Sequence, residues 1–104
     1  MLDKNEIRRI ANDYVEEVLK TFKPKSIILF GSYINGTPNE DSDIDIAVVF
    51  DSFDGDWLET AAFLCSLKRR VSIHIEPHMM DETSDHVGFL SHIKKTGEVI
   101  YQIY

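Results

Sequence analysis

Apolar residues recur with helical spacing from residue 3 to residue 22, at Ile7, Ile10, Ala11, Tyr14, Val15, Val18, Leu19 and Phe22, with a polar opposite face. Asp3 is placed to cap this helix, Glu6 three residues on suits a capping box, and Lys23-Pro24-Lys25 ends it. Ser26 to Phe30 is a short unbroken apolar run that predicts a buried strand stopped by Gly31. Ser32 to Gly36 leaves room for one helical turn, and Thr37 to Ser42 reads as a polar loop. Asp43 to Phe50 predicts a second strand with Ile44, Ile46, Val48 and Phe50 on one face.

Asp51 to Asp56 reads as a loop, and Trp57 to Arg70 again has helical spacing. Trp57 and Phe63, like Tyr14 earlier, fall on expected core faces. Val71 to Glu76 alternates and predicts a third strand, broken by Pro77; Met79 to Asp85 is irregular. Val87 to Thr96 predicts a short helix closed by Gly97, and Glu98 to Tyr104 a final edge strand. Strands mixed with helices in a chain of 104 residues predict one α/β (α+β) domain over 1–104, a two-layer sandwich with a mixed sheet of three to four strands.

Composition changes little in this picture: 43% apolar and 28% charged residues are ordinary for a globular chain. The net charge of −7 argues against a long polynucleotide partner, because the basic clusters are short and sit near element ends. A small anionic substrate needs only a few local donors. The single cysteine, Cys65, excludes an internal disulfide and is expected to be a small buried hydrophobe. No segment resembles a signal core or a membrane span, so the expectation is a cytoplasmic protein.

The chemistry concentrates in residues 31 to 45. Gly31-Ser32 follows a buried strand; a glycine there lets backbone approach a ligand, and a helix starting at Ser32 would aim free N–H groups at an anion. Asp43 and Asp45 stand one residue apart on a strand, so both carboxylates project from one face and together favour a divalent cation. Gly31 and Gly36 have P-loop separation, but Thr37-Pro38 stands where lysine should follow, which rules that loop out. An EF-hand fails as well, since Ile44 or Ile46 occupies the glycine position. Gly-Ser, ten residues, then Asp-x-Asp should arise by chance in roughly one chain per thousand of this size.

Gly31-Ser32, ten residues, then Asp43-Ile44-Asp45 resembles the signature of the DNA polymerase beta-like nucleotidyltransferase superfamily, and the chain more narrowly resembles the minimal nucleotidyltransferase (MNT) proteins. The resemblance implies a palm-like fold in which Gly31, Ser32, Asn35 and Gly36 hold a nucleoside triphosphate and Asp43 and Asp45 bind magnesium, with two ions expected. A third carboxylate on the following strand completes the metal site in that family. Ser72 stands near its usual place, and Glu76 is the candidate on the same face; either Glu76 serves or the metal site is incomplete. His74 and His78 flank Glu76 and read as supporting or surface residues, because an i, i+4 pair on an interrupted strand suits zinc poorly. Family members often carry Ala-Arg before the second glycine; Ile34-Asn35 stands here, which removes a cation from the phosphates.

The resemblance further implies transfer of a nucleotidyl group, AMP from ATP, to an acceptor hydroxyl on a partner or on a second copy of the chain. It also implies pairing with a small helical HEPN toxin whose tyrosine is the acceptor. Two alternatives stay open: a catalytically degenerate module that binds nucleotide or partner, and a sugar-nucleotide transferase using Asp-x-Asp.

Overall fold

The computed structural model describes residues 3–35, 43–84 and 88–103. Helix α1 (Lys4–Leu19) leads into β1 (Ser26–Phe30), a single turn α2 (Ser32–Asn35) and β2 (Ile44–Phe50). Helix α3 (Trp57–Leu67) follows, then β3 (Ile75–Asp81), α4 (Phe89–Thr96) and β4 (Glu98–Gln102). The four strands form one mixed sheet in the order β3-β2-β1-β4. Strand β1 is antiparallel to both β2 and β4, and β2 is parallel to β3.

Strand alternation decides what each face carries. Ile27 and Leu29 of β1, Ile44, Ile46, Val48 and Phe50 of β2, and Ile75 of β3 pack with α1 and α3 in the larger core. Ile28, Ala47 and Val49 point the other way, against Leu90 and Ile93 of α4. Helix α1 forms because its apolar positions make one stripe and because the Asp3 carboxylate accepts from the Glu6 N–H at 2.8 Å. Tyr14 is fully buried on that stripe, and its hydroxyl donates to the Leu64 carbonyl at 2.6 Å, tying α1 to α3. Burial pushes the Tyr14 phenol well above its ordinary pKa. Tyr14→Phe should cost about 1–3 kcal/mol in urea unfolding, because the buried carbonyl keeps its place and loses its donor.

The third strand differs from the sequence expectation. It begins at Ile75, not Val71, and runs through Pro77 to Asp81, where irregular chain was expected. Lys68–Arg70 prolongs α3 as a 3₁₀ turn, and local bonds then occupy the next amides: Val71 and Ser72 N–H to the Lys68 carbonyl, and His74 N–H to Ser72 Oγ. These amides are spent before a strand can start. Pro77 is tolerated because β3 is an edge strand and needs no donor on its open side.

Helix α3 also departs from expectation. Asp56 caps it by accepting from the Glu59 N–H at 2.9 Å, but only Leu64 and Leu67 are buried. Trp57 and Phe63 are 39% and 40% exposed, and Cys65 is exposed, not buried. The helix is apolar nearly all round, so periodicity could not say which side meets the sheet.

Glu82, just after β3, accepts from Lys25 at 2.7 Å and contacts Lys94, joining β1 and α4. Its hydrogen bond with Lys25, then that with Lys94, holds the Glu82 carboxyl below the ordinary range. A depressed folded-state pKa contributes stability above the unfolded value of 4.5, lost as pH falls through the folded value. Glu82→Gln should therefore lower the melting temperature at pH 7 and leave a shallower acid-side decline than the wild type shows.

Candidate active site

The site grows from strand register. Phe30 pairs with Asp45 across the antiparallel β1–β2 ladder, and Asp45 pairs with Glu76 across the parallel β2–β3 ladder. Asp45 shares its face with Ala47 and Val49, and Glu76 shares its face with His78 and Met80. Helix α4 packs on Ala47 and Val49. Two carboxylates on adjacent strands are therefore held side by side on one face of the sheet.

Ligand atoms of Asp45, Glu76 and His78 all lie within 4.8 Å of one another. His78 Nε2 is 3.1 Å from Asp45 Oδ1, and the His78 ring lies 5.1 Å from that of Phe30. The hydrogen bond to Asp45 raises the His78 pKa against the opposing effect of burial. Glu76 is exposed as a residue, yet its carboxyl is pushed above the ordinary range. Partial desolvation is the first cause and the Asp45 charge the second; His78 opposes them and a side-chain hydrogen bond with Asp43 adds to them. A Glu76 carboxyl raised by a neighbouring carboxylate charge is under a repulsion that a divalent cation would relieve.

Gly31 lies directly beneath. It joins β1 to α2 with φ at +90°, and a Cβ built on it would fall 2.2 Å from Asp45 Oδ2. The missing side chain thus makes room for the Asp45 carboxylate as well as for the turn. Helix α2 starts at Ser32, and the Ile34 N–H returns to the Gly31 carbonyl at 3.1 Å. Asn35 closes this turn. Gly36 and the loop expected from Thr37 to Ser42 lie outside the described residues.

The structure thus brings Asp43, Asp45, Glu76 and Gly31 into one neighbourhood, and it leaves Ser72 in the turn before β3. His74 stays in that turn too. His78, read from sequence as a supporting or surface residue, is in the cluster itself. The signal for it was the alternation Glu76-Pro77-His78, hidden by treating Pro77 as a break. The donor set of two or three carboxylates fits a hard divalent cation; imidazole is the softer member.

A family model described as "Polymerase beta, Nucleotidyltransferase" matches residues 13–103. The chain belongs to the polymerase beta nucleotidyltransferase family. It is 46% identical over 46 residues to a Methanocaldococcus jannaschii protein provisionally named a protein adenylyltransferase, covering 44% of this chain and 54% of that one. It is 41% identical over 51 residues to the protein adenylyltransferase MntA of Thermococcus cleftensis, covering 49% and 52% of the two chains. The chain spans about half the length of the curated relatives it matches. Among solved structures, a toxin–antitoxin crystal structure with AMP-PNP superposes with a TM-score of 0.62 at 25% identity, over 98% of this chain and 75% of that one. Among the described residues, no helix is long and apolar enough to cross a membrane.

Proposed function

We propose that this chain transfers AMP from ATP to a hydroxyl on a partner protein, as the antitoxin member of a pair with a HEPN-type toxin. The observation that carries the reading is the register that sets Glu76 beside Asp45, directly above the Gly31 turn. The adenylyltransferase names of the relatives and the AMP-PNP toxin–antitoxin structure support adenine nucleotide and a toxin partner.

Asp43, Asp45 and Glu76 are the residues that would hold magnesium. When bound, magnesium would lower the pKa of the acceptor hydroxyl and offset charge on the departing pyrophosphate. Gly31 and Ser32 present backbone at the turn where the β- and γ-phosphates would lie, with Asn35 ending that turn. The acceptor oxygen bonds to the α-phosphorus, the bond to the bridging oxygen of pyrophosphate breaks, and the acceptor proton leaves to solvent or to a neighbouring carboxylate. His78 orients the Asp45 carboxylate through its 3.1 Å contact.

The test is labelled ATP with magnesium and a HEPN-type helical protein as acceptor. Label moving to that protein supports the reading. Metal-dependent ATP binding with no transfer identifies a degenerate module and overturns it. Within the same experiment, Glu76→Gln should weaken metal-dependent AMP-PNP binding by about 10-fold or more, since loss of a ligand costs at least as much as loss of its support. Unchanged binding in that variant would leave the metal site to the two aspartates alone.

A further inference from the structure

Among the described residues, α3 is the most apolar of the helices of eight residues or more and has the fewest buried positions for its length. Only Leu64 and Leu67 are buried, while Leu58 is 79% exposed. At 100° per residue, Leu58, Ala62, Cys65 and Arg69 form one outward stripe roughly opposite the buried pair. Ala62, Cys65 and Arg69 are exposed like Leu58. The middle of the stripe is small, so another backbone can come close, and Leu58 stands at one end. Trp57 and Phe63 border the buried side instead and are already packed within the chain: Phe63 sits edge-on to Phe22 at 5.6 Å, and Trp57 edge-on to Phe53 at 5.6 Å.

Charge says what fits there. Asp54, Asp56 and Glu59 cluster at the N-terminal end of α3, and Lys68, Arg69 and Arg70 at its C-terminal end. Asp56 is engaged in the cap and Arg70 reaches Glu17 at 3.5 Å. Among the described residues, the Glu59 and Arg69 side chains have no ion-pair partner. A partner surface of one charge would meet repulsion at one end of such a stripe. A second copy of α3 laid antiparallel meets attraction at both ends at once, because the acidic end of each copy faces the basic end of the other. When Ala62 faces Cys65 of the second copy, Leu58 lies under the aliphatic stem of Arg69, and the guanidinium reaches towards Glu59.

We propose that the outer face of α3 is a self-recognition surface, on which a second copy of this chain docks antiparallel about a two-fold axis. The stripe is about 16 Å long at the helical rise, so the contact is small and the dimer is concentration-dependent, not obligate. The inference is independent of the proposed transfer reaction, since no residue of the carboxylate cluster lies on α3.

Sedimentation equilibrium of the full chain tests it, with circular dichroism to show that each variant folds. The expected result is a monomer–dimer equilibrium weakened about 10-fold or more by Leu58→Glu. Glu59→Arg and Arg69→Glu should each weaken it, and the two together should restore it, because the charges have only exchanged ends. A short bismaleimide should link Cys65 to Cys65 in the wild type and not in Leu58→Glu. A chain that stays monomeric at all concentrations overturns the proposal, as does a dimer indifferent to Leu58→Glu. Failure of the charge exchange to restore association overturns the antiparallel arrangement. A monomeric chain whose Leu58→Glu variant loses a different protein assigns the face to that protein instead.

Discussion

Asn in place of Asp45 is expected to lower nucleotidyl transfer by on the order of 10²–10³-fold, the loss seen when one preorganised electrostatic group leaves a reacting centre. Asp45 is the residue that Glu76, His78 and Gly31 all approach. It pairs in register with both Phe30 and Glu76, accepts the His78 contact at 3.1 Å, and fills the space that Gly31 leaves open. Asn keeps the shape and one carbonyl oxygen but removes the charge that would hold a cation. It also relieves repulsion with Glu76, whose pKa should fall back towards its ordinary value because one of its raising causes is gone. Folding should therefore be retained, with a melting temperature at or slightly above that of the wild type. A single-turnover assay beside a thermal melt separates the two effects. Transfer at wild-type rate in the Asn variant would remove Asp45 from the chemistry.

Ala in place of Gly31 is expected to cost about 10²-fold in transfer, through Asp45 and not through any contact of its own. The added Cβ would stand 2.2 Å from Asp45 Oδ2, 3.1 Å from its Cγ and 3.3 Å from its Cβ, so the carboxylate must swing away. A displacement near 1 Å at a reacting group is enough for a loss of that size. The positive φ adds about 1–2 kcal/mol of backbone strain, which unfolding in denaturant should reveal separately. The decisive measurement is the double variant. If Gly31 acts by making room for Asp45, then Gly31→Ala should lower activity far less in the Asp45→Asn background than in the wild type. Equal losses in both backgrounds would mean that Gly31 acts on the phosphates alone.

Most elements could be read before the fold was known, for reasons that differ from place to place. Helix α1 shows a clean apolar stripe and a cap at Asp3, both local properties of the chain. Strand β2 alternates from Ile44, one residue after the expected start at Asp43, and period two alone turns Asp45 away from the side that Ile44 and Ile46 bury. The expected final edge strand is β4, at the end of the sheet. Strand β3 starts later than its pattern suggests because Val71 to Glu76 alternates as a strand should, while the turn that consumes residues 71 to 74 depends on how α3 ends. Cys65, Trp57 and Phe63 read as core residues in the sequence but are exposed, because apolar residues at helical spacing do not say which side of an apolar helix is covered.

The sequence by itself determined the polymerase beta-type signature, since Gly31-Ser32 and Asp43-Ile44-Asp45 stand at a fixed separation along the chain. It also predicts that Asp43 and Asp45 project together, because alternation is a property of a single strand, although β2 itself begins at Ile44. Only the tertiary structure decided which later carboxylate stands beside Asp45. That choice rests on the parallel register of β3 on β2, and register is set by Ile75 entering the core beside Ile44. A slip of one residue would have turned Glu76 and His78 to the opposite face. Ile75 sits in the core, and the same alternation that buries it places Glu76 against Asp45.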